Sequence, residues 1–341
     1  MTTENTTTRK SIIDVFTEKV KGRQLSVVLP EGRDPRIILA AREIKDQGLA
    51  EPIVLGKSEK VDAAAKEAGV DLTGITVIDP RNSDRLDDYA AMYLGDRDDI
   101  SLGVARRMVT KAVFFGGMMV KAGDADVMVA GAASATATVI QSGTLTVGLA
   151  EGIDTVSSYF LMIIPDFQGE IDKPFIYADC AVNIDPTAEQ LADIAMASGQ
   201  SAKSLLTEEP RVAMLSYSTR GSAAGPSAEK VLEALSLVKE KAPTLAIDGE
   251  FQADSAIIAS VAAKKVKDES AVAGKANVLI FPDLDAGNIC YKLTQYMANA
   301  KAIGPFLQGF AKPIADLSRG ASVSDIVTTS IITLALVPSD N

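Results

Sequence analysis

The sequence predicts an α/β protein whose sheets are mostly parallel. Short apolar segments of strand length alternate with amphipathic segments of helix length along almost the whole chain. This alternation is typical of repeated β–α–β units. Hydrophobic residues make up 47% of the chain and charged residues 23%, as in globular proteins. With 341 residues the chain is long enough for two domains, each with its own core.

The first half of the chain shows this alternation clearly. An apolar run that ends at a proline predicts the first strand, and residues 37–44 repeat apolar side chains at helical spacing. The same spacing continues from 102 to 122 without a break, so we expect one long helix there. The predicted strands are 25–30, 51–55, 76–79 and 125–130, and the predicted helices are 11–20, 37–44, 61–67, 84–93 and 102–122.

The expected hinge between the two domains is residues 148–154, which contain Gly148 and Gly152. Beyond it the alternation of strands and helices resumes, so the second domain is also expected to follow the β–α pattern. The predicted strands are 156–164, 175–178, 212–216, 245–248 and 276–282, and the predicted helices are 188–206, 227–240, 255–263 and 286–298.

Charge and composition exclude several classes of function. The net charge of −11 argues against a surface for nucleic acid or for an anionic membrane, so a local basic pocket must meet any anionic substrate. Histidine is absent, which excludes Ser-His-Asp catalysis and histidine metal ligands. Two cysteines, Cys180 and Cys290, do not make a disulfide framework, and a cytosolic compartment is expected.

Neither a signal peptide nor a membrane span is expected. Residues 1–10 are polar and rich in threonine, without the apolar segment of a signal peptide. No window reaches the roughly 18 uninterrupted apolar residues that a membrane span needs.

Two segments between a predicted strand and a predicted helix are candidate phosphate loops. Residues 31–36 begin with Glu-Gly-Arg-Asp, and residues 131–138 are small or carry hydroxyl groups. Such segments bind phosphate through the N–H groups of a helix N-terminus. The alternatives are a solvated turn for the first segment, and capping with close packing for the second.

Residues 216–222 also follow a predicted strand and precede a helix. They combine hydroxyl groups, an arginine and a glycine at the strand end where open α/β sheets bind ligands. The alternative is a capping region with one solvated arginine. The candidate ligand-binding residues are Ser216, Ser218, Thr219, Arg220 and Gly221.

No metal site is predicted. Asp283, Asp285 and Asn288 are close in sequence, but their spacing fits no dedicated cage of oxygen ligands. Asp283 is also placed to cap the helix that follows it.

Polar residues and breakers crowd together in residues 308–325. Lys312, Asp316, Arg319 and Asp325 lie among Gly309, Pro313 and Gly320, which indicates a loop close to a ligand rather than a core element. Ser318 and Arg319 would bring a hydroxyl and a guanidinium to one anion. Asp325 lies at the start of the last helix, where a carboxylate either caps the helix or acts as a base.

Four blocks of the sequence resemble those of phosphate acetyltransferases. Residues 312–320, Lys-Pro-Ile-Ala-Asp-Leu-Ser-Arg-Gly, followed by Asp325, resemble the C-terminal signature of that family. Residues 213–222, 247–254 and 274–292 resemble further family blocks, in the same order. The resemblance covers nearly the whole chain, and four blocks with the order and spacing of the family make it specific for that family.

The resemblance implies a three-layer αβα fold with two domains and an active-site cleft between them. Residues 1–150 would form the first domain, together with residues 310–341 returning to it, and residues 151–309 would form the second. A homodimer in the cytoplasm is the expectation for such a protein.

The resemblance also implies acetyl transfer between coenzyme A and phosphate, without a bound metal or prosthetic group. Asp325 would be the base for the thiol, Arg319 the phosphate clamp and Ser318 the donor to the carbonyl oxyanion. The acyl-CoA and phosphate substrates would also contact the residues of the 216–222 loop and Asn288, Lys292, Gln308 and Lys312.

Several cationic positions of the family are lost in this chain. Ser134 stands where the family has a histidine, and Gln141, Gly95 and Tyr296 stand where it has arginines; Phe167 replaces a frequent cysteine. A neutral glutamine at a phosphate-binding position removes a charged two-pronged contact. The residues considered as compensation are Arg97, Arg220 and Lys312.

These departures leave other functions open. A phosphate butyryltransferase with a wider acyl pocket and a non-catalytic acyl-CoA-binding homologue are the alternatives. A dehydrogenase of the isocitrate or isopropylmalate type has a broadly similar architecture, but the chain lacks a GxGxxG motif and an obvious aspartate cage for a divalent cation.

Overall fold

The computed structural model describes residues 11–338, so the prediction that residues 1–10 contain no signal peptide lies outside the described residues. Within this range the strands are β1 Ser26–Leu29, β2 Glu51–Leu55, β3 Thr76–Ile78, β4 Val127–Ala130, β5 Ser157–Phe167, β6 Glu170–Ala178, β7 Val212–Leu215, β8 Ile247–Phe251, β9 Val278–Ile280, β10 Lys301–Gln308 and β11 Ile314–Asp316. The helices are α1 Ile12–Val20, α2 Pro35–Asp46, α3 Ser58–Ala68, α4 Leu86–Leu94, α5 Leu102–Val109, α6 Ala112–Ala122, α7 Thr136–Thr146, α8 Ala188–Leu205, α9 Pro226–Lys241, α10 Ala253–Ile257, α11 Ala259–Lys265, α12 Leu284–Met297 and α13 Val323–Ala335.

The first sheet is entirely parallel. Its strands lie in the order β11–β4–β1–β2–β3. Side chains alternate between the two faces of a strand, and accordingly Val27 and Leu29 belong to one hydrophobic cluster and Val28 to another. Helices cover both faces, which confirms the three-layer α/β architecture expected for parallel sheets.

The second sheet mixes parallel and antiparallel pairs. Its order is β10–β5–β6–β9–β7–β8, and β5 is antiparallel to both β10 and β6. The assignment of β5 and β6 to the β–α pattern is therefore wrong, because they form a hairpin whose turn residues Gln168 and Gly169 both have positive φ. Strand β10 was not predicted, since Gly304 and Pro305 interrupt its apolar pattern and shift its register.

Two of the predicted helices are each divided in two. The helix predicted at 102–122 ends at Val109 and begins again at Ala112, because Lys111 has an extended backbone (φ −78°, ψ 126°). The helix predicted at 255–263 consists of α10 and α11, separated at Ile258. Apolar spacing continues across both breaks, so periodicity does not reveal them. No helix within residues 11–338 is both long and apolar enough to cross a membrane.

The chain passes between the two sheets twice, along adjacent paths. The N–H of Ala150 donates to the carbonyl of Gly309 (2.9 Å), and the N–H of Ala311 donates to the carbonyl of Gly148 (3.0 Å). After the second passage β11 pairs with β4 of the first sheet. Leu191 of α8 and Ile332 of α13 belong to one hydrophobic cluster, so the two sheets share a core.

The prediction that residues 308–325 form a loop is wrong for part of that stretch. Gln308 ends β10, residues 314–316 form the buried strand β11, and α13 begins at Val323. Residues 309–313 and 317–322 lie outside these elements. Strand β11 was not predicted because it has only three residues and is flanked by polar residues and helix or strand breakers.

Candidate active site

A cavity of about 590 Å³ lies between the two sheets, and we call it the cleft cavity. From the first sheet it is lined by Ser134, Ala135 and Thr136 before and at the start of α7, and by residues 316–319 at the end of β11. From the second sheet Phe160 of β5 and Tyr291 of α12 contribute aromatic walls. Those two rings stack with their centroids 4.1 Å apart.

Ser318 and Arg319 lie at this cavity, immediately beyond the carboxyl end of β11. The backbone of their loop is fixed by Arg36, whose Nη1 donates to the carbonyls of Arg319 and Ala321 at 2.8 Å each. The side chain of Arg319 is exposed and has no ion-pair partner among residues 11–338. A fixed backbone with a free guanidinium suits the binding of an anion from the cavity.

Asp316 was predicted only as one of the polar residues in the 308–325 segment, without a role of its own. Its side chain is only 5% exposed although it belongs to the cavity wall. The Oδ2 atom accepts a hydrogen bond from the hydroxyl of Thr136 (2.5 Å), while Oδ1 is buried without a hydrogen-bond partner. The sequence offered one indication that Asp316 lies at the site: it stands two residues before Ser318, at the end of β11. Alternate residues of an extended chain point to the same face.

Glu31 occupies the loop that was a candidate for binding phosphate. Its carboxylate is buried and accepts hydrogen bonds from the N–H groups of Gly131 and Ala133, both at 3.0 Å. These two N–H groups are thus already paired, and Glu31 is buried rather than part of a solvated turn. The carboxylate instead joins the loop after β1 to the loop after β4. Helix α7 has no side-chain cap, and phosphate binding by residues 131–138 stays a prediction.

The environment of Asp316 favours its protonated form. Burial raises the pKa of Asp316 to about 6, and the negative charge of Glu31 acts in the same direction. The hydrogen bond from Thr136 opposes this rise, because it stabilises the carboxylate. A buried carboxyl group that titrates near neutral pH within a cavity wall is a candidate for proton transfer.

Asp325 lies in a capping box at the start of α13. Its Oδ2 accepts from the N–H of Ser322 (2.9 Å) and from the Ser322 hydroxyl (2.8 Å), while its own N–H donates to the Ser322 Oγ (3.2 Å). Ser322 is the N-cap, so Asp325 supports the cap from the third helical position. The exposed carboxylate lines neither cavity described here, and its assignment as a base stays a prediction.

The candidate ligand loop at 216–222 is bonded to its own neighbours. Arg220 forms a two-pronged ion pair with Asp248 (2.6 and 3.1 Å), and Ser218 donates to Glu250 (2.7 Å). The Gly221 N–H also donates to Glu250 (2.8 Å). The remaining hydroxyls are similarly engaged, since Thr219 pairs with Ser255 and Ser216 accepts from the Ser218 N–H. This loop joins the ends of β7 and β8 and lines neither cavity described here, and its contact with ligand stays a prediction.

The other predicted substrate contacts also have protein partners. Gln308 is buried and forms hydrogen bonds with the hydroxyls of three serines, which makes it part of the interior rather than of a binding surface. Lys312 donates to the carbonyl of Val120 at the end of α6 (2.7 Å), and Asn288 donates to the carbonyl of Cys180 (3.0 Å). Lys292 is exposed above the ring of Tyr291. None of the four lines either cavity.

A second cavity, of about 530 Å³, carries most of the positive charge near the site, and we call it the basic cavity. It lies where β1, β2 and β3 end, and it shares Ser134 with the cleft cavity. Its basic side chains are Arg33, Lys57, Lys60, Arg81 and Lys111. The first four have no ion-pair or hydrogen-bond partner for their side chains among residues 11–338.

The basic cavity contains positive charge next to a position where the family has an arginine. Gln141 lines it, so the neutral glutamine stands among these cations rather than alone. The residues first considered as compensation are occupied elsewhere: Arg97 stacks on Tyr93 at 4.1 Å, and Arg220 and Lys312 have the partners given above. The chain therefore supplies positive charge from the segments that follow β1, β2 and β3 and from Lys111, and of these only residues 31–36, with Arg33, were predicted as a phosphate loop.

Within residues 11–338 no three histidine, cysteine, aspartate or glutamate side chains come together in a group that would hold a metal ion. Asp283 caps α12 by accepting from the N–H of Ala286 (2.8 Å), which is the alternative to metal binding given above.

Comparisons with known proteins were made for the whole chain. A family model described as "Phosphate acetyl/butaryl transferase" matches residues 11–334. The phosphate acetyltransferase of Acetivibrio thermocellus is 45% identical over 325 residues, covering 95% of this chain and 97% of that protein. The crystal structure of a phosphotransacetylase from Streptococcus pyogenes has a TM-score of 0.88 and 41% identity, covering 95% of this chain and 97% of the other. The EutD phosphotransacetylase from Staphylococcus aureus has a TM-score of 0.87 and 37% identity, with the same coverage.

We predict that Asp316→Asn changes how stability depends on pH. Because the folded pKa of about 6 exceeds the ordinary pKa of an aspartate side chain, 3.8, protonated Asp316 favours folding fully below about pH 3.8, and this contribution is lost as pH rises through 6. The variant cannot titrate, so it should gain up to about 3 kcal/mol on the wild type between pH 4 and pH 8. Thermal unfolding of both proteins across this range measures the difference; a difference that does not vary with pH would contradict the burial argument.

Proposed function

The chain belongs to the family of phosphate acetyl and butyryl transferases, and on that premise we propose that it transfers an acetyl group between coenzyme A and phosphate. The reaction is acetyl-CoA + phosphate ⇌ acetyl phosphate + CoA, by direct attack in a ternary complex. The observation that carries this proposal is the pair of Ser318 and the free Arg319 at a cavity between the two sheets. Acetyl is favoured over butyryl because the relatives at 41–46% identity are named phosphate acetyltransferases.

In the proposed reaction Arg319 binds phosphate, and Ser318 donates to the oxyanion that forms on the acetyl carbonyl. A guanidinium presents two parallel N–H groups to two oxygens, which fixes the orientation of phosphate as well as its position. A hydroxyl aimed at the developing negative charge stabilises the transition state more than the ground state. Asp325 stays the predicted acceptor of the thiol proton, with water reaching its exposed carboxylate.

We propose that the basic cavity takes the phosphate groups of coenzyme A. The protein as a whole carries a net charge of −11, whereas five basic side chains line this one cavity. Their positive charge attracts a polyanion. Because Ser134 belongs to both cavities, one extended ligand would reach from the basic cavity to Ser318. The lost family arginine at Gln141 is then offset by lysines and arginines on the neighbouring loops.

The proposed reaction needs no bound metal or prosthetic group, since carboxylates, a hydroxyl and a guanidinium supply its proton transfer and charge stabilisation. We also propose that the enzyme works in the cytoplasm. Both cysteines are free thiols, with Cys180 buried and Cys290 partly buried, as is usual in a reducing compartment.

The first prediction from this function is that release of the CoA thiol from acetyl-CoA requires phosphate. The rate should rise with phosphate concentration and saturate, because phosphate is the acyl acceptor. A thiol-reactive dye measures the release, and butyryl-CoA in place of acetyl-CoA tests the acyl preference. Binding of acetyl-CoA without phosphate-dependent release would instead indicate an acyl-CoA-binding protein without turnover.

A second prediction is that Arg319→Lys lowers kcat/KM although the charge is kept. The planar two-pronged donor becomes a single ammonium group, so the loss should be about tenfold to a thousandfold. Arg107→Lys, at an exposed arginine away from both cavities, is the matched control and should retain wild-type kinetics. Unchanged kinetics in Arg319→Lys would remove Arg319 from phosphate binding.

We propose that the enzyme is a homodimer that uses one face of α12. Gly287 is the one buried residue of this 14-residue helix. An apolar stripe runs along its outer face, and it consists of Ile289, Leu293, Tyr296 and Met297. Tyr296 and Met297 are 81% and 82% exposed, so a monomer would leave a large apolar patch in water.

We propose that a second copy of this chain covers the apolar stripe. In an antiparallel arrangement around a two-fold axis at Leu293, Ile289 of one copy meets Met297 of the other, which makes the stripe self-complementary. Asp285 precedes the stripe and Lys301 follows it, so opposite charges would flank the contact at both ends. Antiparallel helix dipoles also attract each other.

The dimer predicts a mass in solution of twice 35.8 kDa, measurable by light scattering on a sizing column. Leu293→Lys should give monomers, because it places a charge in the centre of the apolar contact. Leu102→Lys is the matched control, since Leu102 and Leu293 are both 53% exposed; it should remain a dimer. A monomeric wild type, or a dimeric Leu293→Lys protein, would overturn this interface.

A further inference from the structure

We propose that Asp316, reached through the hydroxyl of Thr136, carries the proton on the phosphate side of the reaction. The Thr136–Asp316 pair would take the proton of the attacking phosphate when acetyl phosphate forms, and return it when acetyl-CoA forms. The proposal rests on the acetyl transfer proposed above and adds a second proton path to it, separate from Asp325.

The position of the two side chains supports a relay. Thr136 is exposed at the start of α7 and lines the cleft cavity together with Ser318 and Arg319. Its hydroxyl donates to Oδ2 of Asp316 at 2.5 Å, which leaves the oxygen lone pairs free to accept from a ligand in the cavity. The carboxyl group behind it is buried, with Oδ1 unpaired. A phosphate held by Arg319 is therefore one hydroxyl away from a carboxylate without a cationic partner.

The charges around Asp316 set its affinity for a proton. Glu31, on the loop after β1, carries a negative charge nearby, whereas Arg36 of α2 directs its guanidinium to Asp34 and to backbone carbonyls. Arg319 is exposed beyond the end of β11, and Asp325 of α13 is held at Ser322. With burial and Glu31 both raising the pKa of Asp316 to about 6, the group can accept and release a proton near neutral pH.

Two carboxyl groups in different environments suit two different proton transfers. Asp325 is exposed, and it exchanges protons directly with water. Asp316 is buried beside the phosphate side of the cavity, and it exchanges protons through Thr136. The difference in burial thus assigns a different proton transfer to each carboxyl group, as in other enzymes where one carboxyl group is solvated and a second is buried.

In the direction of acetyl phosphate, an oxygen of hydrogen phosphate attacks the thioester carbon and the C–S bond breaks. The phosphate proton passes to the Thr136 oxygen as the Thr136 proton passes to Asp316. The thiolate leaves with the bonding electron pair and takes a proton from the Asp325 side or from water. Asp316 then releases its proton to solvent, so one proton is lost and one is gained in each turnover.

The experiment is the pH profile of kcat for acetyl phosphate formation at saturating substrates. Asp316 must be ionised to accept a proton, so wild-type kcat should fall about tenfold per pH unit below pH 6. Phosphate itself titrates near neutral pH, but that contribution is common to every variant. Differences between the profiles therefore report on the protein.

Four variants separate the relay from a structural role. Asp316→Asn and Thr136→Val should each lower kcat at pH 7.5 by about a hundredfold and make the fall below pH 6 shallower than that of the wild type. Thr136→Ser keeps the hydroxyl and should rescue kcat to within about threefold. Glu31→Gln removes the neighbouring negative charge and should move the fall to lower pH.

Thr136→Val decides the matter if Asp316→Asn does not fold, because Thr136 is exposed. A kcat for Thr136→Val within about threefold of the wild type, or a fall below pH 6 as steep as that of the wild type, would overturn the relay. Asp325→Asn is the comparison: its profile should keep the fall even if its kcat is reduced. A wild type without phosphate-dependent CoA release would instead contradict the proposed acetyl transfer itself, so the two failures are distinguishable.

Discussion

The buried carboxylate of Glu31 is the interaction on which the site depends. It accepts the N–H groups of Gly131 and Ala133, and so joins the loops that follow the adjacent parallel strands β1 and β4. Gly131 has a φ of 116°, and a side chain there would collide with the carboxyl group of Asp316. The absence of that side chain lets β11 lie beside β4 with Asp316 at its end. Three neighbouring strands thus bring Glu31, Gly131 and Asp316 to one point.

This arrangement keeps two acidic side chains in the interior at a cost in stability. Glu31 is satisfied by two N–H groups, whereas Asp316 has one hydrogen bond and an unpaired oxygen. A buried acceptor without a partner destabilises a folded protein unless it serves another purpose. Such departures from full pairing are concentrated at functional sites, and Arg36 offsets part of the cost by fixing the loop that carries Arg319.

The second sheet supplies a rigid wall rather than the reacting groups. Arg220, Asp248 and Glu250 join the ends of β7 and β8, and Gln308 ties β10 to the interior through serines of β5 and α8. A core shared between α8 and α13 holds this sheet against the first. Because these groups satisfy one another, they fix the width of the cleft and leave Phe160 and Tyr291 to line it. The polar residues predicted to bind ligand in this half of the chain also form hydrogen bonds with other protein groups, and their contact with ligand stays a prediction.

The sequence by itself determined the α/β class and the positions of most strands and helices, and it predicted Ser318 and Arg319 as site residues. These follow from local properties: apolar periodicity, breakers, and four blocks that resemble a family. It did not determine the partners of Gln308 and Arg220, because those partners are distant in the chain. It also did not determine the β5–β6 hairpin or the break at Lys111, because apolar spacing shows neither how two strands pair nor where a helix is interrupted. The role of Asp316 and the assembly of the basic cavity depend on the tertiary structure, although residues 31–36, which include Arg33, were predicted as a phosphate loop. The pKa of Asp316 rises because its side chain is buried and because the negative charge of Glu31, 285 positions earlier, lies nearby. The lysines and arginines of separate segments meet only where parallel strands end at one edge of the sheet.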